Sequence, residues 1–151
     1  MLGIAMVDDF AGADLVIDYK TEDVIAKTMA FSEQRGVNRV VDVDFGGNIA
    51  TTLKLMAMNS TIAVYATNGN RNPVIPMREL MEKCIALRPL VLFALPPPLL
   101  AAAQADISKW LAAGKRIHNI AAEFPLSETA QAHLAVEKGD KLGTVIVDCS
   151  R

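Results

Sequence analysis

The stretch GADLVIDYKTED, residues 12–23, reads as a strand that runs straight into a helix. Leu15-Val16-Ile17 is a short apolar run with β-branched residues and the length of a buried strand. Thr21-Glu22-Asp23 then sets a hydroxyl cap ahead of two carboxylates, the chemistry that suits the positively polarised first turn of a helix. The order repeats downstream. Val24, Ile25, Thr28 and Met29 share one side of a helix that Gly36 can end, and VNRVVDVDF (37–45) supplies the next strand. Gly46-Gly47-Asn48 opens a helix with Ile49, Leu53 and Met56 on one face, and STIAVYAT (60–67) is extended again. A helical stretch from about Met77 to Ala86 leads to the apolar run LRPLVLFAL (87–95), read as a further strand. Strands alternating with helices imply crossover connections and a mostly parallel sheet, so the fold class is α/β.

The latter part has its own order. LPPPLLAAAQADISKWLAAGK (95–115) begins with prolines, which suit a first helical turn, carries Ile107, Trp110 and Leu111 on one side, and ends at Gly114. IHNIAAEF (117–124) reads as extended and Pro125 as its break; Ser127-Glu128 caps a helix through about Lys138 that Gly139 terminates. TVIVDC (144–149) closes the chain as a strand by its β-branched content.

Composition narrows the function classes. The chain has 151 residues, 52% of them apolar, and a net charge of −2, enough for a real core but with no basic footprint for nucleic acid. Its first ten residues lack the pattern of a signal peptide, and no apolar run reaches membrane-spanning length, so the expectation is a cytoplasmic protein with neither a nucleic-acid nor a membrane partner. Cys84 and Cys149 belong to no Cys-x-x-Cys or Cys/His cluster and read as ordinary buried or half-buried thiols. His118 and His133 are not at ligand spacing with each other or with cysteine, so no metal site is expected; His133 reads as a helix residue that packs or hydrogen-bonds.

The order GADLVIDYKTED … RGVNRVVDVDFGGN … STIAVYATNG … LPPP … FPLSETAQAHLAVEKGDKLGTVIV resembles the C-terminal part of the medium-chain dehydrogenase/reductase superfamily, in particular its zinc-free quinone oxidoreductase branch, to which zeta-crystallin belongs. The likeness runs from about Gly12 to the end, and its most specific parts are VIDYKTED and the closing FPL-x-E-x-A-x-AH … E-x-G … G-x-V. The resemblance implies an NADPH-dependent reductase that passes hydride to a quinone or a related conjugated carbonyl. An enoyl-thioester reductase is the alternative within the enzyme class, and a non-catalytic dimerising module the alternative outside it. It also implies a domain plan: residues 1–123 as a partial Rossmann-type dinucleotide-binding domain, and 124–151 as a helix and strand that in the family return toward a catalytic domain.

A phosphate-binding turn needs glycines that let backbone N–H groups and a helix dipole meet the pyrophosphate. No G-x-G-x-x-G occurs in the chain. The expectation is therefore a partial, doubly wound parallel sheet lacking its first strand and Gly-rich turn, belonging to a longer enzyme. In the usual order 3-2-1-4-5-6, LVIDY is the third strand and RVVDVDF the fourth, and the two strands between them would leave a gap of roughly 10 Å. LGIAMVD (2–8) can supply one of these strands.

Ligands in open parallel sheets sit at the carboxyl ends of the strands. That rule singles out Asp44-Phe45-Gly46-Gly47 and Ala66-Thr67-Asn68-Gly69, where glycine permits close backbone approach and Thr and Asn offer donors and acceptors; turn chemistry uses the same residues. Asp42 and Asp44 bond a cofactor ribose or cap a neighbouring turn. From the resemblance, Tyr19 borders the adenosine end of the cofactor, or simply caps a sheet edge, and Phe93-Ala94 run past the carboxamide, or fill a strand interior. Lys20 and Lys27 offer charge to a 2′-phosphate, although a helical lysine such as Lys27 is more often solvated. Relatives commonly have Gly-Gly where this chain has Asn59-Ser60, and a lysine where it has Thr144, which weakens the choice of NADPH over NADH. Similar reductases dimerise through the strand matching residues 90–95, so a homodimer through that segment is expected.

Overall fold

The computed structural model describes residues 4–5, 13–114, 119–139 and 143–150. Their elements in chain order are β1 (Ile4–Ala5), β2 (Leu15–Val16), α1 (Val24–Phe31), β3 (Val37–Asp42), α2 (Phe45–Leu55), β4 (Met56–Val64), α3 (Met77–Glu82), β5 (Ala86–Pro89), α4 (Pro97–Ala112), β6 (Ile120–Pro125), α5 (Thr129–Lys138) and β7 (Thr144–Asp148). Every strand pairing described is parallel: β1 with β2, β3-β4-β5 in that order, and β6 with β7. The fold is α/β with parallel sheets.

The chain divides into two compact units, Glu22–Lys109 and a discontinuous one made of Met1–Thr21 with Trp110–Arg151. This grouping differs from a single cut at residue 123.

In the unit Glu22–Lys109, β3, β4 and β5 are joined by helical crossovers through α2 and α3. Alternation along β4 is clear: Ser60, Ile62 and Val64 are buried and the intervening residues less so, as the two-residue period of a strand requires. Ile62 and Val64 pack with Phe45, Ile49 and Leu53 of α2, Met56, and Leu80 of α3, and Val37, Val40, Ile85 and Leu87 flank the cluster. Each such side chain contributes about 1.5–3 kcal/mol when fully buried. Parallel strands are ordinarily covered on both faces. Here Val41 is 75% exposed, and Val43 and Tyr65 are also open. In α1 the side formed by Val24, Ile25, Thr28 and Met29 is the less exposed one, as the spacing predicts.

Several boundaries differ from those the sequence suggests. The cap of α1 is Asp23, whose carboxylate accepts from the Ala26 N–H, not Thr21, whose hydroxyl is taken by Asp18. The chain leaves α1 at Ser32 and makes its left-handed turn through Glu33 and Gln34 before Gly36. α2 ends at Leu55 and β4 begins at Met56, so Met56, expected on the α2 face, is a strand residue. Asn59 takes a positive φ of 55° and the β3–β4 register shifts there, so Asn serves where a glycine is usual. The helix predicted through Ala86 stops at Glu82, because Cys84 also adopts positive φ.

The expected strand over 87–95 is corrected most. β5 covers only Ala86–Pro89; the Leu90 N–H still donates to Val64 O, and Leu92–Ala94 then form a 3-10 turn. The reason is the partner. Val64 pairs with Pro89 and is the last residue of β4, so residues beyond Leu90 have no ladder to join, and the prolines at 96–98 favour a helix start.

In the other unit, β1 and β2 pair over two residues each, Ile4 with Leu15 and Ala5 with Val16, so a strand does lie within 2–8. Ile17 beyond β2 is fully buried. β6 pairs with β7 and α5 lies against both, with Ala132 buried. Pro125 does not break β6 but ends it, opposite Asp148. Ser127 falls in a 3-10 turn and does not cap α5; the C-terminal end is as expected, with Gly139 at φ 72°. Ile117 and His118 lie outside the described residues.

The prolines of α4 occupy its start and Gly114 follows it in a left-handed conformation, as predicted. No residue of α4 is buried, and Ile107, Trp110 and Leu111 are exposed.

Candidate functional site

The carboxyl ends of β3 and β4 adjoin in the sheet, Asp42 pairing with Val64. Past these ends the two chains turn toward one another and are held by side chains. Asp42 is only 3% exposed. Its Oδ1 accepts from the Asp44 N–H and from Asn48 Nδ2, both at 2.9 Å, and its Oδ2 accepts from Thr52 Oγ1 at 3.4 Å. Asn48 and Thr52 are one helical turn apart on α2, so a single buried carboxylate ties the strand end to the helix that follows. A buried charge requires such partners.

Asp44 then reaches across to the second turn. The Gly69 N–H donates to Asp44 Oδ1 at 2.8 Å. In the opposite direction, the Gly46 N–H donates to Thr67 Oγ1 at 3.0 Å, and the Thr67 hydroxyl donates to Asn70 O at 2.7 Å. The Phe45 N–H donates to Ala66 O at 3.1 Å. Of the residues expected here, Asp44, Phe45, Gly46, Ala66, Thr67 and Gly69 thus form one connected cluster, with Asn68 exposed at its rim. Phe45 itself turns inward and belongs to the core.

The glycines answer to the protein's own atoms. A Cβ on Gly46 would stand 1.9 Å from Asn70 O, and a Cβ on Gly69 would stand 2.3 Å from Asp44 Oδ2. Gly47 meets the same oxygen at 2.5 Å. The close approach they permit is between the two turns.

The group a nicotinamide dinucleotide would need here can be tested against these contacts. The first N–H groups of α2 are spent: Phe45 on Ala66 O, Gly46 on Thr67, Gly47 and Asn48 on Asp44 O. This helix start therefore does not fit a pyrophosphate. It does fit the uncharged end of such a cofactor. Among the described residues, Asp44 Oδ2 and the Asn68 side chain take no hydrogen bond, leaving an acceptor and an amide at the rim for a ribose hydroxyl or a carboxamide.

The remaining expected residues lie elsewhere. Tyr19 sits in the turn Asp18–Thr21 of the other unit, exposed, with the Lys20 ammonium 5.6 Å from its ring centroid. In that turn the Thr21 hydroxyl at 2.6 Å, then the Lys20 N–H at 2.9 Å, hold the Asp18 carboxyl below the usual aspartate range. Lys27 is paired with Glu22. Phe93, expected in a strand, is 96% exposed in the 3-10 turn beside Ala94. His133 is exposed and makes no hydrogen bond among the described residues, against the expectation that it packs; Ala132 marks the buried side of α5. Cys84 and Cys149 are both exposed free thiols rather than buried ones. The residues that sequence reasoning missed are Asn48, Thr52 and Asn70. Thr52 carried a signal, as the one polar residue among the buried residues of α2.

Among the described residues no group of three or more His, Cys, Asp or Glu gathers that could hold a metal ion. Nor, among them, is any helix long and apolar enough to cross a membrane.

Comparison with known proteins identifies the class as a dehydrogenase fold. The model of the zinc-binding dehydrogenase family matches residues 11–147, and the chain belongs to that family. No curated protein sequence matches it. Among solved structures it is similar to a Pseudomonas syringae pv. Tomato DC3000 quinone oxidoreductase (20% identity, TM-score 0.69, covering 90% of this chain and 43% of that one). It is also similar to a mycobacterial protein complexed with NADPH (20%, 0.69, 90% and 44%). A third is the alcohol dehydrogenase of the hyperthermophilic archaeon Aeropyrum pernix (20%, 0.66, 89% and 36%). The chain spans less than half the length of each. The described residues do not supply the zinc ligand set that the family's description suggests.

Proposed function

We propose that this chain is part of an NADPH-dependent quinone oxidoreductase of the zinc-free branch, acting in the cytoplasm on a quinone or conjugated carbonyl. The observation that carries the reading is the pair of polar groups, Asp44 Oδ2 and the Asn68 amide, that take no hydrogen bond among the described residues and lie at the joined carboxyl ends of β3 and β4. The closing FPL-x-E-x-A-x-AH pattern and the likeness to a quinone oxidoreductase and to an NADPH complex support it.

When bound, the nicotinamide supplies hydride, and the protein supplies position and polarity. Asn68 and Asp44 orient the ribose and carboxamide; Ala66 and Thr67 form the floor on which the ring rests. Phe93 borders the carboxamide. Residues 1–123 serve as the partial dinucleotide-binding domain and 124–151 as the return toward a catalytic domain. The run Leu90–Leu95, with Val91, Leu92 and Phe93 exposed, is the self-association surface of a homodimer. The same half of the fold would serve an enoyl-thioester reductase.

The test is titration of the 151-residue chain with NADPH, followed by cofactor fluorescence. Saturable binding in the micromolar range, unchanged by EDTA, supports the reading. No binding up to millimolar cofactor would mean that this chain alone holds no cofactor and that the function belongs to a longer enzyme; reduction of an enoyl thioester in place of a quinone by that enzyme would move the reading to the other substrate class.

A further inference from the structure

The two turns at the carboxyl ends of β3 and β4 are joined by a chain of interactions that begins at a buried charge and ends at an exposed backbone. Asp42, buried and held by Asn48 and Thr52 of α2, accepts from the Asp44 N–H and so fixes where the Asp44 side chain starts. Asp44 reaches the Gly69 N–H, 25 residues along the chain, at 2.8 Å. Neither Gly47 nor Gly69 leaves room for a Cβ, and at both positions the obstructing atom is Asp44 Oδ2. The shape of two glycine turns is thus complementary to one carboxylate. Such a charge-assisted bond contributes more than a neutral one, because the acceptor is ionised and its donor is already aimed.

We propose that Asp44 is the positioning residue of the nicotinamide subsite. Through the Gly69 N–H it holds Ala66–Gly69 in a preformed shape, so that binding does not have to order this loop. The inference rests on the nicotinamide reading above. A loop ordered in advance spares the ligand the entropy of fixing it, and that saving appears directly in affinity. In this role Asp44 acts through its Oδ1 and the Gly69 N–H, separately from the Oδ2 offered to the ribose.

The experiment compares the wild-type chain with Asp44→Ala and Asp44→Asn in three measurements: NADPH titration, hydrogen exchange of the Gly69 amide, and thermal melting. Asp44→Ala is expected to speed Gly69 exchange and weaken NADPH binding about tenfold, the cost of one bond to a charged group. The melting temperature should stay within a few degrees. Asparagine keeps an Oδ1 acceptor and should recover most of both losses. Three outcomes overturn the proposal: NADPH affinity unchanged although Gly69 exchange quickens, affinity falling together with a collapsed melting temperature, or Gly69 exchange indifferent to Asp44. If the wild-type chain binds no NADPH while Gly69 exchange still depends on Asp44, the nicotinamide reading has failed and the positioning role with it, although the contact is real. That result is distinct from the other three.

Discussion

The Lys83 ammonium donates to the carbonyl oxygen of Leu53 at 2.6 Å, and also to that of Met56 at 3.0 Å. Leu53 lies in the last turn of α2, whose carbonyls lack partners within the helix, and a cation there meets both the bare oxygens and the negative end of the dipole. Replacing Lys83 with methionine keeps most of the stem but leaves these part-buried carbonyls without a donor. Stability should fall by about 1–2 kcal/mol, seen as a lower urea midpoint with an unchanged slope. An unchanged midpoint would mean that water replaces the ammonium at no cost.

Gly46 and Gly114 should respond differently to alanine. At Gly46 the new Cβ would stand 1.9 Å from a backbone oxygen, that of Asn70, which cannot swing aside as a flexible side chain can. The expected loss is about 2 kcal/mol or more. At Gly114 the space is open and the cost is that of holding alanine at φ 72°, about 1 kcal/mol. Chemical denaturation of both variants checks the order, and equal losses would contradict it.

Thr28 is 2% exposed, and among the described residues its hydroxyl has no hydrogen-bond partner. Valine has nearly the same shape without the polar atom, so Thr28→Val should stabilise the protein by about 1 kcal/mol. A destabilised variant would reveal a partner for the hydroxyl, such as a buried water.

The Asp18 carboxyl titrates below the ordinary aspartate range because the Thr21 hydroxyl and the Lys20 N–H stabilise its ionised form. A lowered folded-state pKa contributes stability that is present above the unfolded value and is lost as the pH falls through the folded one. The turn should therefore hold through the ordinary aspartate range and loosen as the pH falls below it. In a carbon-detected NMR titration, Thr21→Val should move the Asp18 midpoint up toward the ordinary value; no movement would mean the hydroxyl is not its main partner.

Phe93 bears on self-association. As a residue almost wholly exposed in an apolar run, it can be changed to aspartate without touching the core. Light scattering at micromolar concentration should show a dimer for the wild type and a monomer for Phe93→Asp. A wild-type monomer would remove the dimer from the proposal.

The strands rich in β-branched residues, 37–42 and 144–148, and the helix ends marked by Pro or by Gly114 and Gly139 were legible in the sequence, since pattern and local chemistry agree there. The misplaced ends have two causes. Cys84 and Asn59 turn the chain through positive φ without a glycine to announce it, and the strand beyond Pro89 fails because β4 has already ended, a fact about its neighbour. At the candidate site the residue types were readable but their partners were not. Nothing in the spacing of Asp44 and Gly69 reveals that one closes on the other.

α4 runs for 16 residues and buries none of them. A helix that buries none of its residues draws little from tertiary packing and rests mainly on its own propensity, which for this length is marginal in water. Heating should then produce two kinds of loss: a gradual decline in helical signal from this segment, beginning well below the transition, and a sharp collapse of the β3-β4-β5 core. A single melting temperature would describe the second and say nothing of the first.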